Sequence, residues 1–213
     1  MVGHINGYLK VKNTEITEND VKLLQVAYRN IISKRRKAWR ITKKLEKKNA
    51  SDASKYAAYR MDLEMEIADR CEMCLNLIND FLLKKSGGNA EVEVNLHKTK
   101  GDYYRYICEF SSGSQLRTAI QSAESSYSEA ARAGQNLDIT HPSRLGVVLN
   151  HTVFLYEVKK DIKKAESIAK KTFEDAITKV DDVKDEHYKD ATLILKLMRD
   201  NMNLWTEEIE INS

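Results

Sequence analysis

Apolar residues recur along this chain at intervals of three and four, the spacing that places them on one face of an α-helix. In the first such stretch Val21, Leu24 and Tyr28 keep this spacing, and Thr17 followed by Asp20 is a variant of the capping box that starts helices. The same period returns in six further stretches, separated by short polar or glycine-containing breaks. The pattern predicts about seven main helices, at about residues 17–48, 53–85, 90–111, 115–133, 142–160, 162–180 and 183–208.

The connections between these helices are short, which favours antiparallel neighbours stacked in sequence. One proline and eight glycines in 213 residues also favour helix over sheet. We therefore expect an all-α fold of antiparallel stacked helices, organised as a single helical domain over residues 17–208. A short irregular or vestigial segment is expected over residues 1–16, where Gly3 and Gly7 weaken any helix, and a short tail over residues 209–213.

The overall charge argues against nucleic acid as the main partner. The chain has 35 basic and 32 acidic residues, a net charge of +3, whereas a nucleic-acid-binding protein usually has a stronger basic excess. No apolar run approaches the roughly 20 residues that span a bilayer, and the first residues lack the apolar core of a signal peptide. Three cysteines, an odd number, favour a reducing compartment. We therefore expect no nucleic-acid partner, no membrane partner and a cytoplasmic location, with a nuclear pool left open.

The sequence offers no catalytic or metal-binding motif. Cys71 and Cys74 form a C-x-x-C pair on a predicted helix, but no second pair follows and no histidine lies within ten residues. Because a zinc site needs four ligands, buried thiols are the better interpretation. The five histidines are scattered, and no phosphate-binding glycine-rich loop is present. We expect no metal, no cofactor and no enzymatic activity.

Binding chemistry is concentrated in the stretch KTKGDYYRY, residues 98–106. Lys98 and Arg105 are seven residues apart and therefore lie on one helix face, with Asp102 between them where it can hold both cations. Tyr106 adds a phenolic donor. The pattern predicts an anion receptor; the alternative is a surface helix with unconnected charges. Arg29 and Arg36 repeat the seven-residue spacing on the first long helix.

Two later helices place asparagines beside aliphatic stripes. Asn150 lies with Glu157 next to one stripe, and Asn201 continues a stripe that contains Leu193 and Leu197. An asparagine amide can both donate to and accept from a peptide backbone. If these stripes and the cationic ones face one groove, one wall binds anions and the other holds an extended chain. Periodicity alone leaves that convergence open.

Four stretches carry most of these features: VAYRNIISKRRKAWR (26–40), KTKGDYYRY (98–106), HPSRLGVVLNHTVFLYE (141–157) and HYKDATLILKLMRDNMNLW (187–205). In this order and at this spacing they resemble the 14-3-3 proteins, and the resemblance covers about residues 15–206. It implies an all-helical adaptor, a superhelix similar to that of TPR proteins, that binds phosphoserine or phosphothreonine motifs of client proteins in a concave amphipathic groove and regulates their activity or location.

The resemblance also implies roles for individual residues. The phosphate-binding group comprises Arg36, Arg105 and Tyr106, the groove lysine Lys98, and Arg29, which stands where the family usually has lysine. The positions that match peptide-backbone contacts or other polar groove residues are Asn150, Asn201 and Glu157. The apolar wall of the groove matches Leu149, Val153, Leu193, Ile194, Leu197 and Trp205.

Assembly is where the chain departs from the family pattern. Tyr59 and Glu66 match dimer-contact positions, but Asp62 stands where the family usually has lysine. Family members have two helices before the position of Thr17, so we expect the first to be absent and the second vestigial, whether natively or through truncation. The expectation is a weak or altered homodimer. Two other functions stay open: a phosphate-independent helical scaffold and an RNA-binding helical protein.

Overall fold

A computed structural model describes residues 2–211 of the chain, and within them it contains eight α-helices and no strand. The helices are α1 (Val2–Val11), α2 (Glu18–Lys48), α3 (Ala53–Leu77), α4 (Ala90–Cys108), α5 (Gly113–Ala133), α6 (Pro142–Phe154), α7 (Ile162–Ile177) and α8 (Asp185–Ile211). The all-α architecture of antiparallel helices is confirmed, with one helix more than the seven that the sequence pattern predicts.

The additional helix is α1: Val2–Val11 are a regular helix within the segment that the sequence predicts as irregular or vestigial. Val2, Ile5 and Leu9 are buried at helical spacing, whereas Gly3 and Gly7 lie on the exposed side. Each glycine costs about 1 kcal/mol relative to alanine within a helix. The packing of the three apolar side chains outweighs that cost, because most helical stability in proteins comes from a buried face.

The chain divides into two compact units, with the boundary between Gly87 and Gly88. That boundary lies inside the range 17–208 that the sequence predicts as one domain. The first unit contains α1, α2 and α3, with α2 packed against both of its neighbours. The capping box at the start of α2 is confirmed: the hydroxyl of Thr17 accepts from the amide of Asp20, and the amide of Thr17 donates to the Asp20 carboxylate. Helical structure continues beyond α3 through a π-helical turn at Ile78–Leu82 and a 3-10 turn at Leu83–Lys85.

The second unit contains α4 to α8. α4 packs along α5, and α6 contacts α4, α5, α7 and α8. Pro142 lies in the first turn of α6, where the ring nitrogen of His141 accepts a hydrogen bond from the amide of Ser143 at 3.2 Å. A π-helical turn, Leu155–Lys159, follows α6 and ends at Lys160, whose φ of 58° is left-handed. α8 continues to Ile211, so the tail predicted at 209–213 is helical as far as 211; residues 212 and 213 lie outside the described residues.

Residues 2–211 contain no candidate membrane-spanning helix and no cluster of candidate metal ligands. None of their helices is long and apolar enough to cross a membrane. None of their His, Cys, Asp and Glu side chains cluster in a group of three or more that could hold a metal ion. Cys71, Cys74 and Cys108 are buried, as the sequence predicts for the C-x-x-C pair.

Candidate functional site

A buried carboxylate, Asp102 on α4, is the centre of a polar network inside the second unit. Lys98 Nζ donates to Asp102 Oδ2 at 3.0 Å, one turn away on the same helix. The Tyr127 hydroxyl on α5 donates to Oδ1 at 2.7 Å. Asn150 Nδ2 on α6 lies 2.8 Å and 2.9 Å from the two carboxylate oxygens. Three helices therefore converge on one negative charge.

The close approach of α4 and α5 depends on Gly101. A Cβ atom at this position would lie 2.7 Å from the ring of Tyr127, nearer than carbon atoms tolerate. The absence of a side chain lets the tyrosine ring lie against the α4 backbone with its hydroxyl directed at Asp102. Tyr127 also packs in the apolar core of the unit with Phe154 and Ala123. Core packing on one side and the glycine on the other fix the hydroxyl in place.

Arg105 is the cation that this network holds. Its side chain is only 10% exposed, its Nε donates to the Tyr127 hydroxyl at 3.4 Å, and its guanidinium carbon lies 4.9 Å from the centre of the Tyr106 ring. One terminal nitrogen donates to Glu157 at 3.1 Å. The sequence predicts that Asp102 holds both Lys98 and Arg105. Lys98 does bond Asp102 directly, whereas Arg105 is joined to it through the Tyr127 hydroxyl.

Burial and charge fix the ionisation of these groups. Burial favours the neutral form of Asp102, but the charges of Lys98 and Arg105 outweigh it and hold the pKa of the carboxyl below its ordinary value. Burial also opposes the charge on Arg105, but the fields of Tyr127 and Asp102 raise its pKa above the ordinary value. Burial and then the charge of Asp102 raise the pKa of Tyr127 well above 10.0. The site holds a charged arginine, a charged carboxylate and a neutral phenol at neutral pH.

The network also fixes the orientation of Asn150. Because its amide nitrogen donates to Asp102, its side-chain oxygen is the atom left to accept a hydrogen bond from another group. Glu157 lies on the π-helical turn after α6 and is half exposed, so the ion pair with Arg105 is open to solvent on the Glu157 side. These two groups and Lys98, whose side chain is 19% exposed, are the accessible polar parts of the cluster.

The apolar residues predicted for the groove wall divide into three groups. Leu193 and Leu197 are 53% and 44% exposed and lie one turn apart on α8. Leu149, Val153 and Ile194 are half-buried and pack against the cores of the unit. Trp205 is 3% exposed and packs in the apolar core of the unit, with its ring centre 5.5 Å from that of Tyr156. Asn201 is half-buried on α8.

The remaining predicted residues belong to the first unit. Arg29 is exposed and Arg36 half-buried, both on α2. Tyr59 and Asp62 are exposed on α3, and the Glu66 carboxylate accepts from Arg35 of the same chain.

Tyr127 and Gly101 are parts of the polar network that were not predicted as site residues. Tyr127 follows the spacing of Ala123 and Ala130 on α5, so the pattern places it in the core, where it also lies. The close approach at Gly101 could have been predicted, because an isolated glycine inside a helical pattern can indicate that another group packs against the backbone there. The π-helical turn that carries Glu157 has no comparable mark in the sequence.

Comparisons with known proteins point to one family. The family model described as 14-3-3 protein matches residues 1–206, so the match begins earlier than the residue 15 expected from the sequence. The chain is 40% identical to 14-3-3 protein 2 of Entamoeba histolytica over 201 residues, 92% of this chain and 84% of that protein. It is also 40% identical to 14-3-3-like protein 2 of Caenorhabditis elegans, over 91% of this chain and 79% of the relative, and 40% identical to the 14-3-3 protein of Giardia intestinalis, over 91% and 81%.

The family model spans nearly all of the described helices, and the relatives are 40% identical to the chain. The chain therefore belongs to the 14-3-3 family.

Proposed function

We propose that this protein is a non-catalytic adaptor that binds phosphoserine or phosphothreonine motifs of client proteins and so regulates their activity or location. The observation that carries the proposal is Arg105, a charged guanidinium held in place by Tyr127 and Asp102 and paired on its open side with Glu157. Membership of the 14-3-3 family supports the same function.

A phosphate group suits this arginine better than a carboxylate does. A phosphoserine carries about −1.5 to −2 charges and three strong acceptor oxygens. The planar guanidinium of Arg105 can meet two of those oxygens at once, and a bond to a charged group contributes roughly 1.5–3 kcal/mol. Three or four such bonds, reduced by desolvation, correspond to a dissociation constant near or below ~1 μM. In this proposal the phosphate accepts hydrogen bonds from Arg105, either in place of the Glu157 carboxylate or together with it.

The peptide backbone is held by the asparagines. Asn150 has its donor nitrogen on Asp102, so we infer that its oxygen accepts a backbone N–H of the ligand. Asn201 is proposed as a second backbone contact. Leu193 and Leu197, exposed one turn apart, supply apolar surface for the side chains beside the phosphorylated residue. The network around Asp102 therefore links phosphate binding and backbone binding through one carboxylate.

Further parts of the proposal rest on the family resemblance. Lys98, Tyr106, Arg29 and Arg36 are proposed as additional phosphate-binding residues, each to be tested by its own alanine variant. We also propose phosphorylated clients as the partners, a cytoplasmic location with a nuclear pool left open, and a weak or altered homodimer. Asp62, exposed where the family usually has lysine, supports the last point. A tight dimer in sedimentation at micromolar concentration would contradict it.

The proposal is tested by titrating matched phosphorylated and unphosphorylated peptides in a calorimeter. The wild-type protein should bind the phosphorylated peptide at least a hundredfold more tightly, because an unmodified hydroxyl has no negative charge to pair with Arg105. Equal binding of the two peptides would favour the phosphate-independent scaffold instead. Asn201→Ala should weaken peptide binding and leave the affinity for free phosphate unchanged.

A further inference from the structure

The positive charge of this protein is concentrated in the second half of α2. Residues 34–48 contain nine lysines and arginines and a single acidic residue, Glu46, a net charge of +8. The whole chain has a net charge of only +3, so the rest of it is net acidic. Glu46 does not neutralise the segment, because Arg60 on α3 donates to its carboxylate at 2.7 Å. The segment therefore produces a strong local positive potential on a protein whose basic and acidic residues are nearly equal in number.

Arg35 and Lys43 are among the cations of this segment that interact with other groups of the protein. Arg35 donates to Glu66 on α3, and Lys43 lies over the ring of Trp39, 4.5 Å from its centre. These residues lie towards α3 or beside a buried ring, since Trp39 itself is only 5% exposed. Further exposed lysines lie on the opposite side of the helix.

That side carries a continuous stripe, which we call the lysine stripe: Lys34, Lys37, Ile41, Lys44 and Lys48. The spacings of three and four place all five residues on one face, and all five are exposed, Ile41 by 50%. The stripe is about 21 Å long at ~1.5 Å per residue. It lies roughly a third of a turn around α2 from the face that carries the predicted phosphate-binding residues Arg29 and Arg36.

We propose that the lysine stripe is a docking surface for an anionic lipid bilayer. Lysine ammonium groups are compact, strongly hydrated charges that suit a diffuse layer of lipid headgroups, and clusters of four or more on a helix are typical of such binding. The stripe follows one continuous helix, so its lysines lie in a row that can face a planar surface. Ile41, aliphatic and half exposed at its centre, inserts at the level of the headgroups as the apolar side chains of interfacial helices do.

The chemistry of the stripe favours lipid over nucleic acid. Nucleic-acid surfaces use arginine forks and exposed aromatic rings that stack on bases. The lysine stripe contains neither: its cations are all lysines, and the nearby ring of Trp39 is buried. The sequence expectation of no membrane partner rested on the absence of a spanning segment and on the charge of the whole chain. Peripheral docking depends on local charge, and it is independent of phosphopeptide binding.

The proposal predicts a reversible, salt-sensitive association. Each lysine near an anionic membrane contributes about a fivefold gain in partitioning, so four lysines contribute a gain of several hundredfold at low salt. The effect falls steeply as salt shortens the range of the attraction. One short aliphatic side chain adds little permanent anchoring.

The test is co-sedimentation of the full chain with vesicles. Wild-type protein should bind phosphatidylcholine vesicles that contain phosphatidylserine, should bind pure phosphatidylcholine vesicles weakly or not at all, and should be released by salt. The variant in which Lys34, Lys37, Lys44 and Lys48 are all replaced by Gln should lose binding by about a hundredfold or more. Phosphopeptide affinity of this variant should stay unchanged, which separates the result from the proposed function.

A matched control is available on α7. Lys163, Lys164, Lys170 and Lys171 are also four exposed lysines, but acidic residues of the same helix lie among them. Replacing these four by Gln changes the net charge by the same amount and should leave vesicle binding within about threefold of wild type. An equal loss in the two variants would show that only net charge matters and would overturn the assignment.

Two other outcomes would also overturn it. One is the failure of wild-type protein to bind phosphatidylserine vesicles at low salt. The other is tighter binding to a single-stranded RNA oligonucleotide or to polyglutamate than to the vesicles, lost in the stripe variant, which would assign the surface to another anionic partner. Thermal unfolding monitored by circular dichroism should be the same for all variants, since the replaced side chains are exposed.

Discussion

Each unit of this protein contains a buried aspartate that is bonded to a lysine and a tyrosine, and the two differ in what surrounds them. In the first unit Asp20 accepts from Lys12, from the Tyr8 hydroxyl at 3.0 Å and from both the amide and the hydroxyl of Thr17. All of these donors come from the thirteen residues 8–20. Asp20 joins α1 to the start of α2, and its hydrogen-bonding capacity is used within that joint.

Asp102 in the second unit has donors of the same chemical types from three helices. Lys98 comes from its own helix, whereas Tyr127 and Asn150 are 25 and 48 residues away in the chain. Two of these partners are partly exposed and retain hydrogen-bonding groups that Asp102 does not use, and Tyr127 passes the interaction on to Arg105. An aspartate, a lysine and a tyrosine thus build a structural joint in one unit and part of the proposed binding site in the other. The two networks differ because Lys98 and Asn150, the partly exposed partners of Asp102, keep hydrogen-bonding groups that can reach a ligand.

The largest effect should come from the arginine at the outer end of the Asp102 network. Arg105→Ala should weaken phosphopeptide binding by about 2–4 kcal/mol, because the phosphate loses a bidentate charged donor. Arg132→Ala is the matched control, since Arg132 is exposed on α5 and paired with Glu129 in the same helix. Calorimetric titration measures both. Binding of the Arg105 variant within threefold of wild type would contradict the phosphate-site assignment.

Charge removal at the two aspartates should separate structure from binding. Asp20→Asn should lower the free energy of unfolding by about 1–2 kcal/mol, through loss of the capping box and of bonds to a charged acceptor, and should leave peptide affinity unchanged. Asp102→Asn should lower stability by about 1–3 kcal/mol and weaken peptide binding about tenfold, because the variant loses the negative charge and the second acceptor oxygen, to which Lys98 donates. Urea unfolding and calorimetry distinguish them. Equal effects on binding would remove the contrast between the two networks.

Alanine variants of two glycines on neighbouring helices test the role of Tyr127. Gly101→Ala should destabilise the protein by about 1–3 kcal/mol, because the new methyl group collides with the Tyr127 ring, and should also weaken binding as the hydroxyl moves away from Asp102 and Arg105. At Gly146 on α6 a methyl group would meet Lys98 atoms at 3.8 Å or more, which is ordinary contact. Gly146→Ala should therefore be neutral or stabilising, by up to about 1 kcal/mol. A well-folded Gly101 variant with full affinity would show that the close approach is dispensable.

The smallest expected effect is a difference in acid sensitivity. Burial lowers the pKa of His97, His141 and His151 in the second unit below 6.5, so these side chains are neutral when folded. As the pH falls below about 6.5 the unfolded chain takes up more protons, and stability that is fully present above that pH is lost. In the first unit burial opposes ionisation of Asp20, but bonds from Lys12 and Thr17 outweigh it and lower its pKa to about 2. The stability that Asp20 contributes is present above about pH 4 and lost only as the pH falls towards 2.

Urea unfolding between about pH 7 and pH 5 tests the histidine contribution. His141→Asn keeps a side-chain oxygen to cap α6 but does not titrate, so its stability should fall less on acidification than that of the wild type, by up to about 1 kcal/mol. His4→Asn, at an exposed position on α1, is the control and should behave as the wild type does. Identical pH dependence for all three proteins would exclude His141 as a contributor.

The sequence predicted most of the fold because α2 to α8 each have a long, periodic apolar face. It missed α1, whose ten residues contain two glycines and whose three buried side chains only stabilise a helix once α2 packs on them. The bond between Lys98 and Asp102 was predictable from a separation of four residues on one helix. The partners from α5 and α6 were not, because the pairing of Tyr127 and Asn150 with Asp102 depends on helix packing that no local spacing encodes.

The two tryptophans of the chain are divided between the units. Trp39, whose indole donates to Glu64 at 2.8 Å, is buried in the first unit, and Trp205 is buried against Tyr156 in the second. Each unit therefore contains its own intrinsic fluorophore. In a Trp39→Phe variant the tryptophan emission reports only on the second unit. In a Trp205→Phe variant the tryptophan emission reports only on the first unit. The order in which the two units unfold, and whether a phosphopeptide shifts one emission or both, can then be followed in the unlabelled protein.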